Sequence, residues 1–193
     1  MPRMSLKEAS FCRSRTWRRL ARRIAPWATQ GVPLTGNVLE LGGGSGTMAE
    51  AILRTDPQVR VTVTDIDPAM VRVAQERFAR CARATVHRAD ATRLPYDDES
   101  FDAVASFLML HHVLEWEAAV AEAARVLRPH GVFVGYDLVA SRAASWVHRI
   151  DGSAHRLIEQ GALEPVLARA GLDVLAVRYA FFGLVVRFVA RKR

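Results

Sequence analysis

A short apolar run, Val38-Leu39-Glu40-Leu41, leads into four glycines, Gly42, Gly43, Gly44 and Gly46. Glycine permits the positive φ angles of a tight turn and lets a ligand come close to the main chain. The backbone N–H groups at the start of a following helix would face the same point and bind an anionic group. The carboxylate of Glu40 can accept hydrogen bonds from hydroxyls or from an ammonium. The alternative is an ordinary glycine turn of an α/β protein.

Two further carboxylates stand at the ends of the next predicted strands. Asp65 ends the strand predicted over 59–64, and Asp90 follows the strand Ala84–Arg88. Ligands of parallel sheets bind beyond the carboxyl ends of the strands, so these acids and Glu40 are expected to line one cleft. Asp65 is placed to accept from both hydroxyls of a ribose, with Ile66 against a base. Alternatively, Asp65 only caps the next helix, although Asp67 is the better-placed cap.

The elements that must position these residues alternate between strand and helix. Alternating strands and helices imply a parallel sheet with right-handed crossovers, and the last two strands are joined tightly enough to be antiparallel. The helices are predicted over 47–54, from Asp67-Pro68 onward, over 116–127 and over 163–170, and residues 138–160 form an irregular segment. The strands are predicted at Asn37–Leu41, 59–64, Ala84–Arg88, Phe101–Phe107, 132–136, 172–179 and 183–190.

The length of 193 residues suits a single α/β domain. No apolar run approaches the roughly 18 residues of a membrane span. The two cysteines, Cys12 and Cys81, form neither a disulfide framework nor a zinc motif, which favours a cytoplasmic protein. Residues 1–28 carry eight basic side chains and one acidic one, whereas the rest of the chain carries 19 of each. The sequence therefore predicts a basic arm, residues 1–30, and a neutral domain over residues 31–193, which is not a basic nucleic-acid surface.

The arm contains an amphipathic, arginine-rich helix with Trp17, Leu20 and Ile24 at helical spacing. One interpretation is a lid helix that packs over the mouth of the glycine site through these three residues. A second is an anchor for RNA or anionic lipid. A third is a cleaved transit peptide, because the segment is basic and poor in acids.

The glycine spacing separates two classes of nucleotide site. A dinucleotide fold requires G-x-G-x-x-G, but position 47 is threonine and the spacing is G-x-G-x-G. With the other motifs in order, the chain resembles the class I S-adenosylmethionine-dependent methyltransferases, of the small-molecule type that includes the quinone-biosynthesis methyltransferases. Asp67 stands where these proteins usually have a serine. The matching stretches are 38–46, 64–70, 88–91, 94–102, 106–112, 125–131 and, near the end, Ala170-Gly171-Leu172.

This resemblance implies a Rossmann-like, seven-stranded sheet of order 3-2-1-4-5-7-6, with strand 7 antiparallel and helices on both faces. It implies S-adenosyl-L-methionine as cofactor. Its methionine part would lie over the glycines near Glu40, its ribose on Asp65 and its adenine against Ile66. The remaining cofactor contacts implied are Asp90 and Ala91 at the adenine amino group, and Phe107 near the sulfonium and methyl region.

The acceptor side is less defined. Methyl transfer from a sulfonium depends mainly on alignment, worth about 7–11 kcal/mol, and a general base is optional. Candidate bases are His111 and His112 at the exit of strand four, Asp137 at the end of strand five, and His148 and His155 in the irregular segment. The alternative for the pair His111 and His112 is ordinary packing or helix-start residues. His148, Asp151 and His155 have the spacing of a metal set but are expected to make plain hydrogen bonds, so no metal is predicted.

A small-molecule acceptor, methylated on oxygen, carbon or nitrogen, is favoured by the neutral domain. Strand four is not followed by Asp-Pro-Pro-Tyr or Asn-Pro-Pro-Tyr, and neither cysteine follows a proline. Adenine amino groups and pyrimidine carbons are therefore unfavoured acceptors. Two alternatives stay open: methylation of RNA or protein docked through the arginine arm, and a non-catalytic S-adenosylmethionine-binding protein. The sequence predicts neither the acceptor's identity nor the oligomeric state.

Overall fold

The computed structural model describes residues 15–141 and 155–193, apart from the side chains of Arg15, Trp17 and Arg18. Its helices, numbered along the chain, are α1 (Arg15–Ala28), α2 (Thr47–Ile52), α3 (Pro68–Phe78), α4 (Trp116–Val126) and α5 (Leu163–Arg169), with a 3₁₀ turn at Leu110–His112. The strands are β1 (Asn37–Leu41), β2 (Arg60–Asp65), β3 (Ala84–Arg88), β4 (Phe101–Phe107), β5 (Leu127–Leu138), β6 (Leu172–Ala180) and β7 (Val185–Lys192).

The seven strands form one sheet of order β3-β2-β1-β4-β5-β7-β6. The first five are parallel, and β7 runs antiparallel to both β5 and β6. The predicted order and the antiparallel seventh strand are confirmed. The central strands are apolar on both faces because helices cover each side, as parallel sheets require.

Two apolar layers flank the sheet. One layer joins α1, α2 and α3 to the sheet, and the other joins α4 and α5 to the opposite face. Asp67 caps α3 as predicted, since its Oδ1 accepts from the N–H of Ala69 at 2.8 Å. Because β1 pairs in parallel with both β2 and β4, the carboxyl ends of these strands lie at one edge of the sheet, called the open edge here.

The fifth strand is longer than predicted, because it begins at Leu127 instead of Val132. Phe101 pairs with Leu127, and the next pair is Ala103 with Val132, so the predicted turn is a bulge within the strand. His130 accommodates the bulge with a φ of 66°. The pairing of Phe101 is a long-range contact that the local turn pattern did not reveal.

Helix α1 packs through small side chains. Ala21, Ala25 and Ala28 are buried and bring α1 close to α2. The prediction that Leu20 makes the packing contact is wrong, because Leu20 is 43% exposed; Ile24 is half-buried against the same layer. The side chain of Trp17 lies outside the described residues. Alanines prevail here because they permit the closest approach of two helix backbones.

None of the helices within the described ranges is both long and apolar enough to cross a bilayer.

Candidate active site

The glycine turn after β1 has the conformation that its sequence predicts. Gly42, Gly44 and Gly46 have positive φ angles of 59°, 54° and 74°. The N–H of Gly43 donates to the carbonyl of Thr64 at 2.9 Å, which fixes the turn against the end of β2. A Cβ at Gly42 would come within 2.0 Å of Cγ of Met109. The turn therefore lies in direct contact with the exit of β4.

Glu40 is 1% exposed and faces α2, whose Ala49 N–H donates to its carboxylate. Its Oε2 atom is buried and accepts no hydrogen bond from the described residues. Burial, followed by the negative charge of Asp65, raises the pKa of Glu40 to about 8. A buried carboxylate oxygen with no partner costs free energy, and a ligand ammonium would satisfy it.

Asp65 closes the turn from the neighbouring strand. Its Oδ2 accepts from the N–H of Gly44 at 2.9 Å, and its Oδ1 accepts from the N–H of Asp67 at 2.8 Å. Burial raises the pKa of Asp65, and these backbone donors partly offset the effect. The N–H of Ile66 is a third backbone donor to this carboxylate. A carboxylate has about four acceptor positions, so acceptor capacity remains for a ligand. Ile66 is half-buried beside it.

Asp90 lies next to Asp65, because the N–H of Ala89 donates to the Asp65 carbonyl at 3.1 Å. Oδ1 of Asp90 accepts from the N–H and Oγ1 of Thr92 at 2.9 and 2.8 Å, and Ala91 is buried. The three acids therefore stand at the ends of adjacent strands. Their roles toward a cofactor stay predictions.

The strand register places the aromatic residues on one face of the sheet. Phe107 pairs with Tyr136 at the carboxyl ends of β4 and β5, and their ring centroids are 5.8 Å apart. Both rings lie in the layer of α1 and α2, and Glu40 also faces α2. The Trp27 ring of α1 covers Tyr136, with centroids 5.5 Å apart. This edge therefore combines a buried carboxylate with an aromatic wall.

His111 and Asp137 lie together on the α4 side of that edge. Asp137 is fully buried, and its Oδ1 lies 2.5 Å from Nδ1 of His111. Asp137 Oδ2 also accepts from the N–H groups of Met109 and Leu110 at 3.1 and 2.7 Å. Asp137 is thus placed to hold the exit of β4 and to orient His111.

The other candidate histidines lie nearby or outside the described ranges. The ring of His112 is 4.0 Å from that of His111, between centroids. The carbonyl of His111 accepts from the N–H of Arg156 at 2.8 Å, so the chain after His155 returns to this turn. His148 and Asp151 of the considered metal set fall outside the described residues. Within the described ranges, no group of three metal-ligating side chains is found.

Sequence reasoning did not single out Trp27, Tyr136 and Met109. Tyr136 ends the strand predicted over 132–136, one residue before Asp137, so its position at the predicted strand end was a usable signal. Trp27 and Met109 gave no such signal. Trp27 depends on how α1 docks, and Met109 meets Gly42 only after β1 and β4 are paired.

Comparisons with known proteins agree with this geometry. A family model described as "Methyltransferase domain" matches residues 39–135. The ubiquinone/menaquinone biosynthesis C-methyltransferase UbiE of Cupriavidus necator is 29% identical over 191 residues, which cover 86% of this chain and 79% of that protein. The demethylmenaquinone methyltransferase of Clavibacter sepedonicus is 37% identical over 103 residues, covering 53% of this chain and 41% of that protein.

Among solved structures, a geranyl diphosphate C-methyltransferase from Streptomyces coelicolor, in complex with Mg²⁺, geranyl diphosphate and S-adenosyl-L-homocysteine, is similar in fold. The TM-score is 0.79 at 13% identity, and the match covers 91% of this chain and 78% of that one.

Proposed function

The chain belongs to the methyltransferase domain family, as a class I S-adenosyl-L-methionine-dependent methyltransferase of small molecules, and we propose that its acceptor is an electron-rich aromatic ring compound. The observation that carries this proposal is the aromatic wall of Trp27, Tyr136 and Phe107 at the carboxyl-terminal parts of β4 and β5. Aromatic side chains pack edge-to-face or offset against rings, with centroids about 4.5–7 Å apart. A planar acceptor suits such a wall. The names of the two relatives described above, which concern quinone methylation, support the same acceptor class.

The cofactor is S-adenosyl-L-methionine, and the residues of the open edge fit it. We propose that Glu40 accepts from the methionine ammonium and that Asp65 accepts from both ribose hydroxyls. The glycine turn, Gly42 to Gly46, lies under the methionine part, with Phe107 near the sulfonium. Ile66, Asp90 and Ala91 hold the adenine. When bound, the cofactor supplies a methyl group on an already activated sulfonium.

Charge supports this placement. Glu40 and Asp65 put two buried carboxylates beside one turn, and the negative charge of Asp65 raises the cost of ionising Glu40. A ligand with an ammonium and a sulfonium lowers that cost. A pyrophosphate at the same turn would increase it, which favours the assigned cofactor over a dinucleotide.

For the acceptor, we propose that His111 is the general base and Asp137 the positioning residue. The contact between Asp137 Oδ1 and His111 Nδ1 places a proton on Nδ1 and leaves Nε2 as the basic nitrogen. Removing a proton from a ring hydroxyl would make the ring oxygen or the adjacent carbon more nucleophilic. A base of this kind contributes about 10²–10⁴-fold. His112 is the alternative base.

We also propose that the basic arm over residues 1–30, which includes α1, covers the site. We propose further that the protein resides in the cytoplasm. Helix α1 contributes Trp27 to the aromatic wall, which supports the cover. The two cysteines without a disulfide framework support a reducing compartment.

The test is product formation with methyl-labelled cofactor and a panel of acceptors. The panel contains hydroxylated naphthalenes, catechols, aliphatic amines, a tRNA mixture and a peptide mixture. We expect methylated product from the hydroxylated rings, identified by mass spectrometry. Transfer to tRNA or peptides with none to the small rings would overturn the proposed acceptor class, as would transfer to the aliphatic amines alone.

A further inference from the structure

The turn between β6 and β7 exposes large apolar side chains. Phe182 is fully exposed, Phe181 is 65% exposed and Leu184 is 37% exposed. With Gly183 they form the run Phe181-Phe182-Gly183-Leu184, which has no polar side chain. Phe181 and Phe182 have φ angles of 51° and 56°, a strained conformation for residues with large side chains. Backbone hydrogen bonds of Gly183 to Ala180, 3.1 Å, and of Leu184 to Phe181, 3.2 Å, close the turn. The protein therefore presents two phenylalanines at a protruding tip.

Helix α1 lies against this tip. The ring centroids of Trp27 and Phe181 are 5.8 Å apart. The guanidinium of Arg187 stacks 4.3 Å from the Trp27 ring centroid, and its Nη1 donates to the Trp27 carbonyl at 2.8 Å. Arg178 pairs with Arg187 across the two strands. The tip and the C-terminal half of α1 therefore form one continuous surface.

Two exposed arginines lie on the face of α1 that carries Trp27, the residue in contact with the tip. Arg19, Arg23 and Trp27 are spaced by four residues, so they follow one face of α1, and both arginines are exposed. Neither has a carboxylate partner within the described part of the chain. Leu20 is exposed between them. The docking face is defined here as Arg19, Leu20, Arg23, Phe181 and Phe182.

We propose that the docking face binds the surface of an anionic phospholipid bilayer. Exposed phenylalanine and leucine side chains insert at the boundary between headgroups and acyl chains, while arginines beside them meet the lipid phosphates. Insertion buries a tip that is otherwise in water, and the arginines on α1 are complementary in charge to the membrane surface. The docking face lies next to the aromatic wall, because Phe181 contacts Trp27. An acceptor dissolved in the bilayer would therefore have a short path to the aromatic wall.

Single-stranded RNA is the other polyanion with which arginines and aromatic rings could interact. RNA binding requires rings on which successive bases stack within a basic groove. The docking face instead ends in a convex, uncharged turn, and the chain from residue 29 onward has no net charge. These features favour the bilayer.

The test is flotation of the full chain with two kinds of vesicle. One contains phosphatidylcholine alone, and in the other phosphatidylglycerol replaces a substantial part of the phosphatidylcholine. We expect binding to the anionic vesicles that falls with added salt and is much weaker on the neutral ones. Arg19→Gln with Arg23→Gln should lower the vesicle affinity about tenfold or more, because each arginine near an anionic surface contributes about a factor of five. Phe182→Ser should lower it several-fold without destabilising the fold.

Two control variants make the same kinds of substitution at exposed positions outside the docking face. Arg93→Gln with Arg169→Gln removes the same charge at other exposed arginines, and Leu175→Ser removes an exposed apolar side chain seven residues before Phe182. Both controls should bind vesicles like the parent. Equal loss in control and test variants would overturn the proposal, as would absence of vesicle binding or exclusive binding to a single-stranded RNA oligonucleotide. Because the readout is vesicle binding, the outcome is independent of whether the aromatic acceptor is correct.

Discussion

Oδ1 of Asp137 lies 2.5 Å from Nδ1 of His111, and both side chains are buried at the exit of β4. Asp137 at the same time holds the backbone of Met109 and Leu110. One carboxylate therefore fixes the turn that touches the glycine loop and also the tautomer of the imidazole. Asp137 therefore couples the structure of this turn to the orientation of the His111 ring.

Substituting each member of this pair in turn should separate the proposed catalytic role of His111 from the structural role of Asp137. His111→Gln should lower kcat by about 10²-fold or more while the affinity for the cofactor stays unchanged. Asp137→Asn should also lower the free energy of unfolding by about 2 kcal/mol, because an amide nitrogen would face backbone donors. Steady-state kinetics and denaturant unfolding measure these effects. His112→Gln is the matched control, and a loss of rate in that variant alone would move the base to His112.

Glu40 should make stability and cofactor binding depend on pH. The unfolded carboxyl titrates near 4.5 and the folded one near 8. Between these values the folded state retains a proton that the unfolded state has lost, so the free energy of unfolding falls as pH rises, and above about 8 it falls no further. Relative to the parent, Glu40→Gln should therefore become more stable by about 2–3 kcal/mol between pH 5 and pH 7.

Denaturant unfolding at the two pH values measures this difference, and Glu115→Gln, at an exposed carboxyl, is the control that should show no such drift. Binding of S-adenosylhomocysteine at pH 7 should also release a proton from the parent and none from Glu40→Gln. Calorimetry in buffers of different ionisation enthalpy detects that proton. No proton release from the parent would show that Glu40 is not the partner of the ligand ammonium.

Substitution of Trp27 should weaken binding of the acceptor more than binding of the cofactor. Trp27→Ala removes the ring that covers Tyr136, and an aromatic contact of this kind is worth about 1 kcal/mol. We expect the KM for the acceptor to rise about fivefold, with cofactor affinity nearly unchanged. Arg22→Ala, at an exposed position of the same helix outside the docking face, should change neither constant. Equal weakening of cofactor and acceptor would place Trp27 outside the acceptor wall.

The cofactor side could be predicted from the sequence because its signals are local. Glycine at 42, 44 and 46 and an acid at each strand end are readable without knowing any long-range contact, and the strand-end rule brings them together. The acceptor side could not, because it depends on contacts such as Arg187 to Trp27, which are 160 residues apart. The alanine packing of α1 was missed for a related reason. A helix with large apolar residues on one side and alanines on another does not reveal which side meets the domain.

Calorimetric titration of S-adenosylhomocysteine into the parent and into Asp65→Ala tests the cofactor site most directly. We expect micromolar binding to the parent, about −8 kcal/mol, and at least about a hundredfold weaker binding to the variant, which loses two hydrogen bonds to a carboxylate. Asp173→Ala, at an exposed carboxylate paired with Arg193, should bind like the parent. Absence of binding to the parent, or equal affinity of Asp65→Ala, would contradict the assignment of this edge as the cofactor site.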